Sequence, residues 1–132
     1  MGKSVLLSIK PKYVESILNG EKKFEFRKAS FQSKDVEEVY VYSSSPVKKI
    51  VGKFLLKDTI SGTPQEIWDK CSDLGGISKD EFFKYYQGKS EAYSLCISDL
   101  EIFKEAVCPY TKFKKFYPPQ SFMYYDRLEL AI

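Results

Sequence analysis

The sequence contains no histidine, and this absence excludes several familiar kinds of site. Catalytic triads of the Ser-His-Asp and Cys-His types need an imidazole, as do histidine-ligated zinc sites, including those of the zinc-dependent deaminases. Cysteine is also scarce, because Cys71, Cys96 and Cys108 lie far apart with no C-x-x-C spacing. An odd, scattered set of cysteines indicates buried free thiols in a reducing compartment. We therefore expect no metal site and no cofactor.

Long apolar runs and long runs of like charge are missing as well. The first apolar stretch, residues 5–9, is too short for the apolar core of a signal peptide or for a membrane span. The net charge of +3 is mild, so it permits an anionic partner without requiring one. These absences predict a cytoplasmic protein that does not associate with membranes.

Aromatic residues, in contrast, are abundant. They make up 16% of the chain, with ten Phe, ten Tyr and one Trp. A sheet-rich core favours Phe and Tyr, but some of these rings could also serve as stacking platforms. The length of 132 residues suits a single domain over residues 1–132 with a substantial core. The sequence leaves the oligomeric state open.

The order of the predicted elements indicates an α+β domain built on a small barrel. Strands are predicted at residues 5–9, 23–27, 38–42, 50–60, 92–97 and 122–130. One helix begins at Pro11, and two more begin at capping boxes that open with Thr63 and Ser78. Residues 108–120 are predicted to form a basic, aromatic and proline-rich loop. Strands with mostly non-helical connections, one early helix and a two-helix insertion are typical of this class.

Residues 20–27 read G-x-K-x-x-E-x-R at a turn that leads into a predicted strand. Because successive side chains of a strand alternate between its faces, Phe24 and Phe26 should point one way, and Glu25 and Arg27 the other. We expect the two phenylalanines to be buried in the core. The charged side chains would then gather at one edge of a pocket or groove.

Three charged residues of this segment are candidates for binding or catalysis. Lys22 could contact a phosphate or, if it is partly desolvated, act as a general base. Arg27 could hold a carboxylate, a phosphate or a base edge, and Glu25 could accept from an exocyclic amine or orient Lys22. The alternative is a solvated salt-bridge cluster on the wet side of an ordinary strand, which would be worth little energy.

Two further segments could complete such a groove. Ser43, Ser44 and Ser45 form a hydroxyl-rich turn that could present hydroxyls and backbone N–H groups to an anion, although Ser and Pro are also ordinary turn residues. After the Pro-Pro pair, Gln120 and Ser121 could place hydrogen-bonding groups over the pocket.

The segment over residues 110–117 interleaves three lysines, Lys112, Lys114 and Lys115, with four aromatic residues. Lysines neutralise phosphates while aromatic rings stack on unpaired bases, which is typical of single-stranded nucleic-acid binding. The alternative is a loop whose rings pack back on the barrel while its lysines remain in water. The first interpretation predicts that these lysines line one concave basic face together with Lys22 and Arg27.

The segment over residues 20–27 resembles the signature of ASCH domains, which are similar to PUA domains. Residues 6–13, 42–52 and 118–122 also resemble, in order, segments of single-domain prokaryotic members. The resemblance covers nearly the whole chain and implies a PUA-like pseudo-barrel with the first helix plugging one side. It also implies binding of RNA or of a nucleoside or nucleotide, with regulatory roles in translation or transcription.

Some ASCH proteins instead remove the acetyl group of N4-acetylcytidine with a lysine, a threonine and a glutamate. By resemblance the lysine falls on Lys22, the threonine on Glu25 and the glutamate on Gly75 or Gly76, while the nearest acid, Asp73, is displaced. Because one residue of three matches, we expect a binding domain without catalysis. The alternatives are an amidohydrolase in which Lys22 and Glu25 activate water, and a small-ligand sensor or protein-interaction module.

Overall fold

The computed structural model describes residues 2–31, 35–128 and 130–131. Over these residues there are six strands: β1 (Lys3–Ile9), β2 (Phe24–Arg27), β3 (Val36–Ser43), β4 (Lys49–Gly62), β5 (Ala92–Val107) and β6 (Phe122–Tyr124). The same residues contain four α-helices: α1 (Pro11–Leu18), α2 (Pro64–Cys71), α3 (Lys79–Tyr85) and α4 (Pro109–Lys112). Short 3₁₀ turns cover Ser72–Leu74 and Tyr125–Arg127.

The strands form one mixed sheet in the order β2-β5-β4-β3-β1-β6. β1 pairs with β3 in parallel, and every other neighbouring pair is antiparallel. β3 lies inside the sheet, as its two apolar faces predict. The sheet curls into a half-barrel, which confirms the predicted α+β class.

α1 packs against one side of this curled sheet. Pro11 at the first helical turn starts the helix, because proline has no backbone N–H to leave unpaired there. Val14 and Ile17 are buried in the same hydrophobic cluster as Val39 and Phe54 of the sheet. The end of α1 is thereby fixed beside β2, where the charged segment begins.

The two helices inserted between β4 and β5 pack on β2. Ile67 and Cys71 of α2 join Phe82 of α3 and Phe26 of β2 in a second cluster, and Trp68 is half-buried against it. The ring of Phe26 therefore lies against the insertion.

β5 is longer than the sequence indicates, because it continues from Ala92 to Val107 instead of ending near residue 97. β4 pairs with it along this length, up to Ile50 opposite Val107. Gly52 lies where the two backbones approach, since a Cβ there would stand 2.5 Å from the carbonyl oxygen of Glu101. Glycine suits this position because it has no side chain to separate the two backbones.

The last predicted strand is shorter than expected. β6 ends at Tyr124, and the chain turns into the 3₁₀ segment at Tyr125–Arg127; residue 129 of the predicted strand lies outside the described residues. The predicted loop over residues 108–120 contains the single turn of α4, which begins at Pro109. All three cysteines are free, but only Cys71 is fully buried.

Candidate nucleotide-binding site

An open cavity of about 810 Å³ lies where α1, β2, α3 and the loops after β3 and before β6 meet. Its lining combines charged, hydroxyl and aromatic groups from segments that are far apart in the sequence. Among the residues that line it are Lys10, Tyr13, Lys22, Glu25, Phe26, Arg27, Tyr42, Ser44, Ser45, Lys48, Glu81, Lys84, Tyr85, Tyr110 and Gln120.

Lys22 is almost completely buried, with 2% of its side chain exposed. Its Nζ donates a hydrogen bond to the carbonyl oxygen of Gly75 at 2.6 Å and lies 4.5 Å from the centre of the Phe26 ring. Burial lowers the pKa of Lys22, and the negative charge of Glu25 opposes that shift. A buried ammonium that lines a cavity is a preorganised donor for a ligand.

Two glycines leave space for the side chains at this end of the cavity, Gly76 for Lys22 and Gly75 for Phe26. Gly76 has a φ of +63°, and a Cβ there would stand 2.7 Å from the Cβ of Lys22. A Cβ on Gly75 would stand 3.1 Å from the ring of Phe26. The position at which the ASCH resemblance implies a glutamate is thus occupied by the side chains of Lys22 and Phe26.

Glu25 lies between two cations. Its Oε1 is 3.7 Å from Nζ of Lys22, and its Oε2 accepts a hydrogen bond from Nη1 of Arg27 at 3.1 Å. The guanidinium of Arg27 also donates through Nη2 to Oγ of Ser121. The side chains of Lys22, Glu25 and Arg27 are only 2%, 8% and 14% exposed, so the alternative of a solvated cluster is wrong.

The predicted alternation of β2 is confirmed for Phe26, which is buried, whereas Phe24 is only half-buried. Glu25 is also buried, because its face of β2 lines the cavity and does not lie in bulk water. The period-two pattern therefore predicted the burial of Phe26 but not the burial of Glu25.

Glu81 lines the cavity from α3 and is not among the site residues predicted from the sequence. Its carboxylate accepts hydrogen bonds from Nζ of Lys12 at 2.8 Å and from the hydroxyl of Tyr13 at 2.6 Å. The hydrogen bonds from Lys12 and then Tyr13 lower the pKa of Glu81, while burial and then the bond to Glu81 raise the pKa of Tyr13. The capping box predicted at Ser78 assigns Glu81 a capping role only, and Ser78 does accept a hydrogen bond from the backbone N–H of Glu81.

The turn after β3 forms another wall of the cavity. Ser44 and Ser45 line it, as predicted, but Ser43 is buried at the end of β3 and does not. The hydroxyl of Tyr42 lies 3.0 Å from that of Tyr110, and burial raises the pKa of Tyr42. The two tyrosines join this wall to the loop that follows β5.

The expectation that Lys112, Lys114 and Lys115 line the same basic face is wrong. Lys112 lines a separate cavity of about 240 Å³, and the other two are exposed and line neither of these cavities. The reason is that Phe113 and Phe116 pack into the core, which turns the lysines between them away. Other cations accompany Lys22 and Arg27 in the larger cavity: Lys10, Lys48 and Lys84.

The two residues predicted after the Pro-Pro pair both reach the site. Gln120 lines the cavity, and Ser121 accepts the hydrogen bond from Arg27 described above.

Among the described residues, no cluster of three or more Cys, Asp and Glu side chains could hold a metal ion. Within the same residues, no helix combines the length and the apolar character needed to cross a membrane.

Two known proteins are similar to this chain in sequence over about 70% of its length. A large ribosomal subunit protein uL22 of Ureaplasma parvum serovar 3 is 38% identical over 93 residues, which are 70% of this chain and 30% of that protein. An ASCH domain-containing ribonuclease of Zymomonas mobilis is 23% identical over 97 residues, which are 74% of this chain and 66% of that protein. The chain thus spans less than two thirds of the length of the ribosomal relative.

The fold has a counterpart among solved structures. The crystal structure of ASCH from Zymomonas mobilis superposes with a TM-score of 0.83 at 22% identity, over 92% of this chain and 87% of that one. This likeness confirms an ASCH-type, PUA-like fold. Residues 3–116 match the family model described as Domain of unknown function (DUF365). The chain therefore belongs to the DUF365 family and has the fold of an ASCH domain.

Proposed function

We propose that the chain binds RNA, or a nucleotide of RNA, in the cavity built around Lys22, Glu25 and Arg27. The observation that carries this proposal is the convergence of desolvated charges with aromatic and hydroxyl groups in one cavity. Its volume of about 810 Å³ lies in the range of small-ligand sites. A regulatory role in translation or transcription, which the ASCH resemblance implies, belongs to the same proposal.

Each part of a nucleotide finds a chemically suitable group in the cavity. The rings of Tyr13 and Tyr85 offer faces for stacking, which is worth about 1–3 kcal/mol per base. The buried charged groups can pair with a base edge. At the rim, the exposed side chains of Lys10, Lys48 and Lys84 can neutralise phosphates.

The names of the relatives support an RNA-related role. One is a protein of the large ribosomal subunit, and the other is called a ribonuclease. Both names connect a similar segment with RNA, although each relative extends beyond the matched residues. The names therefore support the proposal, but the cavity is the observation that carries it.

Titration of a labelled single-stranded RNA with the purified protein tests this proposal. We expect binding that weakens with salt, with a slope of log K against log salt of about −2 if three rim lysines contact phosphates. Lys48→Ala should reduce that slope by about 0.7, because one phosphate contact is lost. Lys104→Ala, at an exposed position of β5 that does not line the cavity, is the matched control.

A second variant distinguishes binding in the cavity from binding to the positive charge of the surface in general. Lys22→Met removes the ammonium but keeps the length of the side chain, and we expect roughly tenfold weaker binding, or about 1.4 kcal/mol. Lys23→Met alters the exposed neighbouring lysine and should leave binding nearly unchanged. Absence of RNA binding by the folded wild type, or equal effects of these two variants, would contradict the proposal.

A second candidate function is hydrolysis in the same cavity. It is favoured by the lowered pKa of Lys22 and by the two carboxylates, Glu25 and Glu81, that line the cavity with it. Groups of this kind can share the work of general acid and base, either on N4-acetylcytidine or on RNA. Against it, Glu25 stands where the ASCH amidohydrolases carry a threonine nucleophile.

Product analysis distinguishes the two functions. The wild type is incubated with N4-acetylcytidine and, separately, with RNA, and the products are separated by chromatography. We expect no turnover of N4-acetylcytidine, because the hydroxyl nucleophile is missing. Release of cytidine or of RNA fragments that disappears in Lys22→Met would make the chain an enzyme.

A further inference from the structure

The charged groups on β2 have a definite spatial order. The carboxylate of Glu25 stands in the middle, with Nζ of Lys22 3.7 Å from one of its oxygens and Nη1 of Arg27 3.1 Å from the other. An ammonium and a guanidinium can only donate hydrogen bonds, whereas a carboxylate accepts them. The cavity therefore presents a donor, an acceptor and a donor in sequence.

This order is held in place before any ligand binds. Lys22 is anchored to the carbonyl oxygen of Gly75, and Arg27 is anchored to Ser121. The three side chains are nearly removed from water, so a ligand that left one of them unpaired would lose hydrogen-bond energy that water cannot replace. A fixed, desolvated row of polar groups selects its ligand by pattern as well as by charge.

We infer that the cavity selects a base with an imide edge, which among the RNA bases is uracil. Uracil presents an acceptor (O4), a donor (N3–H) and an acceptor (O2), and these complement the row formed by Lys22, Glu25 and Arg27. Cytosine and adenine place a ring nitrogen lone pair opposite the carboxylate. Guanine offers N1–H to Glu25, but its 2-amino group then faces a cation.

The surroundings of the row suit a flat pyrimidine. Tyr13 and Tyr85 line the cavity beside it and can cover the faces of the ring. The lysines at the rim are placed for the phosphate that a nucleotide carries. This inference rests on the proposed function and adds the identity of the base.

Competition among mononucleotides tests the inference. A labelled single-stranded RNA is displaced from the wild-type protein by the 5′-monophosphates of uridine, cytidine, guanosine and adenosine. We expect uridine monophosphate to compete most strongly, by roughly tenfold over cytidine monophosphate, since a wrong base edge loses hydrogen bonds to the row. Guanosine monophosphate should lie between them.

Two methylated nucleotides provide a matched pair that involves no change in the protein. In 3-methyluridine monophosphate the N3–H is lost, and we expect competition to fall by about tenfold relative to uridine monophosphate. In 5-methyluridine monophosphate the methyl group lies off the imide edge, and competition should be retained. Equal competition by the two would overturn the inference.

The outcomes separate this inference from the function on which it rests. If cytidine monophosphate competes as well as uridine monophosphate, the base preference is wrong while RNA binding stands. If neither RNA nor any mononucleotide binds, both proposals fail. In Glu25→Gln the central group can donate as well as accept, so the preference for uridine over cytidine should shrink by about tenfold.

Discussion

At the scale of single residues, the position of Lys22 depends on neighbours that have no side chain. A buried ammonium needs polar partners in place of water. The carbonyl of Gly75, the carboxylate of Glu25 and the face of Phe26 provide them. Gly76 leaves room for the aliphatic part of the side chain. A residue with a Cβ at position 76 would therefore displace the lysine.

Gly76→Ala tests this dependence. The alanine would combine a left-handed φ, which costs about 1–2 kcal/mol, with a contact of 2.7 Å to the Cβ of Lys22. Gly88→Ala is the matched control, because Gly88 has a similar φ of +79° but nothing within 4 Å of its Cβ position. In urea denaturation we expect Gly76→Ala to lose about 1–3 kcal/mol more than the control. Equal losses would show that packing on Lys22 is not tight.

At the scale of elements, two similar helix caps serve different purposes. Thr63 and Glu66 form a complete capping box at α2, with both reciprocal hydrogen bonds present. At α3, Ser78 accepts from the backbone of Glu81, but the carboxylate of Glu81 binds Lys12 and Tyr13 instead. The start of α3 is therefore tied to α1 across the cavity.

This difference predicts different consequences for two equivalent substitutions. Thr63→Ala and Ser78→Ala should each lower the free energy of unfolding by about 1 kcal/mol, because each removes one cap. Only Ser78→Ala should also weaken RNA binding, since α3 carries Glu81 and Lys84 into the cavity. The measurement is a melting curve together with an RNA titration for each variant. Binding that falls equally in both would contradict the separate role of α3.

Local signals predicted most elements but not their lengths. Proline and the capping residues placed the starts of α1, α2 and α3 within the chain. The far half of β5 is charged and mostly exposed, so it lacks an alternating apolar pattern. It is a strand because β4 pairs with it, and pairing between distant segments leaves little trace in a single sequence.

At the scale of the whole molecule, the site is assembled from segments that local patterns cannot join. The sequence predicted that Lys22, Glu25 and Arg27 lie close together, because they belong to one strand and the turn before it. It could not show that Glu81 approaches from α3, or that burial of Phe113 and Phe116 would turn the neighbouring lysines away from the site. Those facts depend on tertiary packing.

The burial of Lys22 should also appear in the stability of the whole molecule. Burial lowers the pKa of Lys22, so between the folded value and the ordinary value of about 10.4 the unfolded chain binds more protons than the native protein. The contribution of Lys22 to the free energy of unfolding must then rise with pH between these two pKa values. Above about pH 10 the tyrosines oppose it, because burial raises the pKa of Tyr13 and Tyr42 in the native state.

Lys22→Met removes this contribution. The quantity to measure is therefore the free energy of unfolding of the wild type minus that of the variant. We expect the stability of the wild type relative to Lys22→Met to increase as the pH rises towards the ordinary lysine pKa of about 10.4, because the cost of the buried charge falls as the amine loses its proton. Urea denaturation at several pH values measures it, and taking the difference removes groups that titrate alike in both proteins. Lys23→Met, at the exposed neighbour, should follow the wild type at every pH. A gap between wild type and Lys22→Met that stays constant or narrows over this range would mean that Lys22 keeps its proton as readily in the fold as in water.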